Sequence, residues 1–202
     1  MQAFEHVQIE SRAELRAWLE AHHTQSEGIW LVKFKKHVPD KYITWEEMVE
    51  ELLCFGWIDS RTRKLDDDRT LYLISPRRPG SPWSHKNKQH VQALLDAGLM
   101  QPAGLALIEQ AKQDGSWTVY DEIEDRVIPD DLAAALAEDE AAARHFQAFG
   151  DASQKNILWW IKSAKRPETR RRRIAETVLL AQHNLRANHP EAQAFKRRLS
   201  QE

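Results

Sequence analysis

A chain of 202 residues, 42% hydrophobic and 30% charged, has enough apolar material for a core and suits one domain or two small ones. Its formal net charge of −2 supplies no global field toward nucleic acid or an anionic membrane, so binding of either must be local. Seven glycines and eight prolines argue against disorder, no apolar run approaches the roughly 20 residues of a membrane helix, and the single Cys54 excludes an internal disulfide.

In chain order, the opening MQAFEHVQIESRAEL lacks the basic and apolar regions of a secretory signal, so a soluble, cytoplasmic protein without membrane insertion is expected. Ser11 and Glu14 predict a capped helix with Leu15, Trp18 and Leu19 on one face and Gly28 at its end. GIWLVKFKK reads as a strand, with Lys33, Lys35 and Lys36 toward its exposed end. His22, His23 and His37 lack the i,i+4 spacing that places two ligands on one metal, so no metal site is expected. Thr44 and Glu47 form a second capping box, Trp45, Val49, Leu52 and Leu53 make an apolar face, and Gly56 supplies the stop. Cys54, among Leu53 and Phe55, reads as core rather than as a reactive thiolate.

From Trp57 the period changes to two. In WIDSRTRKL, strict alternation puts Trp57, Asp59, Arg61 and Arg63 on one face and Ile58, Ser60 and Thr62 on the other. Asp66, Asp67 and Asp68 make a turn and TLYLIS returns, an antiparallel hairpin whose polar face is either a solvated surface or an anion-binding floor on which Asp59 orients an arginine. SPRRPGSPW, with three prolines and one glycine in nine residues, is a stiff loop. Arg77 and Arg78, held there beside Ser75, Ser81 and Trp83, suit bidentate recognition of phosphate or carboxylate. Ser84 caps a helix that faces the core with Val91, Leu94 and Leu95. Lys86 and Asn87 stand in its first turn, where a lysine opposes the helix dipole and so becomes a ligand candidate.

A helix with Leu105, Ile108 and Ala111 lies between Pro102 and Gly115, followed by the acidic connector VYDEIEDRVIPDD and an alanine-rich helix over 131–143. Residues 61–90 carry a net +5, residues 121–140 a net −8 and residues 155–173 a net +7. Ile157, Leu158 and Ile161 share a helix face, and Pro167 opens PETRRRRIAETVLLAQHNL, where Ile174, Val178, Ala181 and Leu185 form the packed stripe. Arg170 and Arg171 flank that stripe; Arg172 and Arg173 point outward. Four arginines at a helix start oppose the dipole at about 0.3–1 kcal/mol each, which calls for a negative group, either the acidic connector or a ligand.

These elements predict an α+β protein, mostly helical, with a small antiparallel sheet in the N-terminal half and a helical C-terminal half, divided as 1–120 and 121–202. CFGWIDSRTRKLDDDRTLYLISPRRPGSPWSHKN, then GLMQPAGLALIEQAKQDGSW, then WWIKSAKRPETRRRRI resemble the landmarks of the YdeI/OmpD-associated family, the bacteriocin-protection proteins. The resemblance spans roughly residues 10–186. It implies a cytoplasmic bacterial protein linked to tolerance of antimicrobial peptides and envelope stress, and it carries over Trp57, Asp59, Ser75, Arg77, Arg78, Trp83, Asn87, Lys165, Glu168, Thr169 and Arg170.

The leading expectation is a non-enzymatic protein that binds an anionic small molecule or acidic segment in one basic, tryptophan-lined pocket. Its candidate residues are Trp57, Asp59, Arg61, Ser75, Arg77, Arg78, Trp83, Lys86, Asn87, Lys165, Arg166, Thr169 and Arg170, with no cofactor, no metal and no catalytic group. The alternatives are nucleic-acid binding, disfavoured by the net charge, an enzyme on a phosphorylated or carboxylated metabolite with Asp59 as base, and an adaptor that uses the arginine run.

Overall fold

The computed structural model describes residues 4–199. Its contacts divide the chain between Val119 and Tyr120 into two compact units.

In the first unit, β1 (His6–Gln8), β2 (Ile29–Phe34), β3 (Trp57–Lys64) and β4 (Arg69–Pro76) form one sheet in the order β1-β2-β4-β3. The β2-β4-β3 part is antiparallel as expected, and β1 adds a parallel edge that HVQ is too short to announce. The hairpin turn is held by Asp66, whose Oδ1 accepts from the N–H groups of Asp68 and Arg69.

Helices α1 (Arg12–His22), α2 (Trp45–Cys54), α3 (His85–Asp96) and α4 (Pro102–Asp114) complete this unit. The Thr44–Glu47 capping box forms in full, and Ser11 and Ser84 cap α1 and α3. Gly56 follows α2 at φ +74°, a left-handed residue that turns the chain into β3. Gly28 does not end α1, which stops at His22. It lies instead where β2 meets β4, and a Cβ there would stand 2.6 Å from the Ile74 carbonyl oxygen.

One sheet face carries the main core: Ile29, Leu31, Trp57 and Ile74 pack with Leu15, Leu19, Met48, Leu52 and Ile108. Cys54 is buried there and burial pushes its thiol pKa up, as expected of a core cysteine. The opposite face carries a smaller cluster of Trp30, Val32, Leu71 and Leu73. Lys33 is not at an exposed end: it is buried, its Nζ donates to the Ile43 carbonyl, and it lies 4.7 Å from the Tyr42 ring centre. Leu95, expected to face the core, is exposed; α4 buries Gly104, Ile108 and Ala111 and leaves Leu105 exposed.

The second unit contains α5 (Asp121–Glu124), α6 (Asp130–Ala137), α7 (Glu140–Ala148), α8 (Asp151–Lys162), α9 (Pro167–Gln182) and α10 (Pro190–Leu199). The single helix expected over 131–143 is broken in two, because Asp139 leaves the helical conformation and caps α7 by accepting from the Ala142 N–H. Ile157, Leu158 and Ile161 are buried as expected. On α9, Ile174 and Ala181 are buried and Val178 packs half-buried against the same core, as expected; Thr177 and Leu180 complete the packed face, and Leu185 packs there from just past the helix end.

Candidate functional site

Strict alternation puts Asp59 and Arg61 on one face of β3, and the structure separates them. Asp59 pairs with Ile74 and Arg61 with Leu73, so Ser60 is an extra residue, a β-bulge that moves every later side chain to the other face. Asp59 stays on the core side and accepts from Trp45 Nε1 at 3.2 Å. Arg61 and Arg63 emerge on the face of Trp30, over which the Arg63 guanidinium sits at 5.2 Å. An Asp59–arginine floor is therefore absent.

The bulge delivers Ser60 and Arg61 to a groove of about 760 Å³ at the end of the sheet. Ser75 contributes from β4, Arg77, Arg78 and Ser81 from the stiff loop, and Ile58, Leu73 and Pro76 form apolar walls. Four sequence-predicted residues, Arg61, Ser75, Arg77 and Arg78, meet here. Ser60 was missed as a groove residue, because strict alternation hides a bulge.

Arg77 is the unusual member. It is 5% exposed, and its guanidinium lies 3.8 Å over the centre of Trp83. Its Nη2 donates to the Pro82 and Ser81 carbonyls, and its backbone N–H donates to Gly56 O at 2.9 Å. Its Nε and Nη1 are buried without an acceptor among the described residues. Burial pushes its pKa down to about 10. Trp83 is itself buried, with Trp117 5.0 Å away, so the pair forms a fixed base for the cation. A small recess of about 10 Å³, bounded by Arg77, Trp83, Asp114 and Ser116, lies behind the loop.

The remaining first-unit candidates are placed elsewhere. Trp57 is 1% exposed, and its indole N–H donates to the His23 carbonyl at 3.0 Å. Lys86 is accounted for by Glu46 at 3.3 Å and by the Trp45 ring at 4.3 Å. The Asn87 N–H is taken by the Ser84 cap.

In the second unit the acids of the connector meet the arginines and lysines of α8 and α9. Asp131 accepts from Arg170 through both oxygens, at 2.7 and 2.8 Å. Glu124 pairs with Lys155 and Glu122 with Lys162, and in the opposite sense Asp151 at the start of α8 pairs with Arg126 of the connector. The negative group demanded by the α9 start is thus the connector. Arg173 does not point outward: it donates to the Trp160 carbonyl and Ser163 Oγ and lies over the Trp160 ring. Lys165 and Arg166 are exposed and Thr169 is half-buried. A hollow of about 330 Å³ over Ile123, Val127 and Leu158 is rimmed by Lys162 and Arg170, both already paired.

The Arg170 hydrogen bond holds the Asp131 carboxyl below its usual range. A carboxyl lowered on folding stabilises fully above its unfolded value near 3.9, and that contribution is lost as pH falls through the folded value. Asp131→Asn should therefore cost below about 1 kcal/mol at pH 7, since the pair is partly exposed, and flatten the loss of stability below pH 4. Urea unfolding followed at several pH values reads this out.

Among the described residues no group of three or more histidine, cysteine or acidic side chains is placed to hold a metal ion, and no helix is long and apolar enough to cross a membrane. Fold and site together define an α+β protein with an arginine-walled groove and a second, helical, charge-paired unit. Residues 7–107, half of the chain, match the family described as a domain of unknown function (DUF8412), and residues 125–184 match the family described as "Bacteriocin-protection, YdeI or OmpD-Associated". The chain belongs to the DUF8412 family, and its second unit carries the YdeI/OmpD-associated domain that the sequence motifs resemble. That match covers less of the chain than the motifs had suggested, because residues 54–87 fall within the other family. No curated protein and no solved structure matches the chain.

Proposed function

We propose that this is a non-enzymatic cytoplasmic protein of the bacteriocin-protection type, contributing to tolerance of antimicrobial peptides or envelope stress, and that its first unit binds an anionic ligand in the groove beside the SPRRPGSPW loop. The observation that carries the reading is the basic wall of the groove, where Arg61 and Arg78 are exposed and Arg77 is buried behind them with two nitrogens, closed to solvent, that lack acceptors among the described residues. A cation displaced to about 10 is disfavoured by roughly 3 kcal/mol relative to water. The Trp83 face returns about 2 kcal/mol of this. A fold that needed only a clip for the loop would do better with an apolar side chain. Exposed Arg78 and Arg61 lie on the same groove and supply the forks that would meet a phosphate or carboxylate. The match to the bacteriocin-protection family supports the cellular role, and its weight lies on the second unit.

The test is a thermal-shift and calorimetry screen of inorganic phosphate, phosphate esters and carboxylates against the native chain, Arg77→Met and Arg78→Ala. A ligand at one hundred times its dissociation constant adds about 2.7 kcal/mol to the native state. Arg77→Met should fold with stability unchanged or raised by up to about 2 kcal/mol at pH 7 and lose the ligand response. Any advantage should shrink above pH 10, because a base with a lowered folded pKa adds stability as pH rises through that value. A loss above 3 kcal/mol in Arg77→Met, or an undiminished ligand response, makes Arg77 a structural clip and sinks the reading.

A further inference from the structure

The sheet ends on β3, and the outer edge of that strand is open. In the order β1-β2-β4-β3 it pairs with β4 alone, and among the described residues no backbone group of Trp57–Lys64 bonds to any other segment. Ser60, Arg61, Thr62, Arg63 and Lys64 are all exposed, whereas β2 is buried along five of its six residues. No helix or loop therefore covers this end of β3.

An open edge is a template for another strand, and proteins guard such edges by shortening them, bulging them, or placing proline or charge on them. β3 has eight residues and no proline. It is bulged at Ser60, which leaves Arg61–Lys64 as its regular stretch. Alternate residues of an edge strand turn both N–H and C=O away from the neighbouring strand, so two of these four residues present a free donor and a free acceptor.

The charge of the edge decides what it accepts. Arg61 and Arg63 stand two residues apart on one face, and neither has a carboxylate partner among the described residues; Arg63 lies over the Trp30 ring, while Lys64 pairs with Asp67 at 2.6 Å. Pairing with the same edge of a second copy would bring these arginines against their own counterparts, and like charges across a ladder repel. An incoming strand with a carboxylate at every second residue repeats at roughly 6.6 Å, the spacing of Arg61 and Arg63 along β3. Such a strand would gain ladder hydrogen bonds and two charge-assisted contacts together.

We infer that β3 is a docking edge for an extended acidic segment of a partner protein, which adds to the sheet as a fifth strand and sets alternate carboxylates beside Arg61 and Arg63. This goes beyond the groove reading: it uses the exposed strand edge rather than Arg77, and the two share only Arg61.

Fluorescence anisotropy on the full chain tests it with dye-labelled acetyl-(Thr-Glu)4-amide, its (Thr-Lys)4 counterpart, and the acidic peptide N-methylated at every threonine or at every glutamate. The acidic peptide should bind and the basic one should not. An added strand turns only one alternate set of its N–H groups toward β3, so one N-methylated form should bind about tenfold more weakly or worse while the other keeps the parent affinity. Arg63→Glu, at an exposed position outside the main core, should also weaken the acidic peptide about tenfold or more, and Arg63→Lys should largely retain it. If both N-methylated forms bind as the parent does, attraction between charges acts without strand addition and the inference is overturned. Failure of the acidic peptide to bind overturns it too and leaves the arginines as guards of a bare edge. A dimer in sedimentation velocity that the acidic peptide does not disperse assigns the edge to a second copy, again overturning it. The thermal shift with inorganic phosphate, which has no backbone to pair, reports the groove alone, so either reading can fail without the other.

Discussion

Replacing Arg12 and Arg16 together by methionine should lower the unfolding free energy of the first unit by about 3–5 kcal/mol. Glu51 on α2 is 2% exposed, and its carboxylate is held by Arg12 Nε at 2.6 Å and Arg16 Nη1 at 2.9 Å. Both arginines reach from α1, so this triad ties the first helix to the second. Arg12 also pairs with Glu50, and Arg16 donates to the Leu99 carbonyl. Without the arginines, an ionised carboxylate stays buried with nothing to replace its lost hydration, and that penalty exceeds the modest worth of an exposed ion pair. The melting temperature should fall by more than about 10 °C. Adding Glu51→Met to the pair should recover most of the loss, because an apolar triple replacement removes the charge and its partners together. A double variant that melts within about 3 °C of the parent would show that water reaches Glu51.

Gly104→Ala should cost about 3 kcal/mol or more. A Cβ at this position on α4 would stand 2.4 Å from the Cys54 carbonyl oxygen and 2.6 Å from that of Leu53. Both obstacles are backbone, and the Cys54 carbonyl also accepts from the Gln101 N–H, so neither side can give by a rotamer change. The two helices must separate, which opens the contact around Ile108 and Ala111. Gly150→Ala, where an added Cβ meets nothing within 4 Å, serves as the control and should cost below about 1 kcal/mol. Equal melting curves for the two variants would contradict the close helix contact.

Much of the local structure was legible because it depends on short-range chemistry. Thr44 and Glu47 sit three residues apart and can only cap one another, Gly56 can adopt φ +74° cheaply, and three consecutive aspartates make a turn before TLYLIS. The β3 face pattern was misread for the opposite reason. A bulge depends on how β3 registers against β4, and nothing in WIDSRTRKL marks Ser60 as the extra residue. Arg173 was misjudged because helical angles alone do not reveal that α8 ends beside it and offers the Trp160 carbonyl.

The same division runs through the candidate site. The stiff loop with Arg77 and Arg78 could be singled out from proline, glycine and arginine content. Its contrast between a buried Arg77 over Trp83 and an exposed Arg78 could not, since adjacent arginines look identical until a neighbouring indole takes one of them. Trp57, Lys86 and Arg170 were attractive as ligand contacts because they are rare or charged. Each is engaged by the His23 carbonyl, Glu46 or Asp131, partners that lie 34, 40 and 39 residues away. By itself, then, the sequence determined the α+β class, the caps, the hairpin and the charge blocks, all of which depend on residues within a few positions of one another. The tertiary structure alone decided the bulge and the burial of Arg77, because each depends on how strands and loop pack once the sheet has formed.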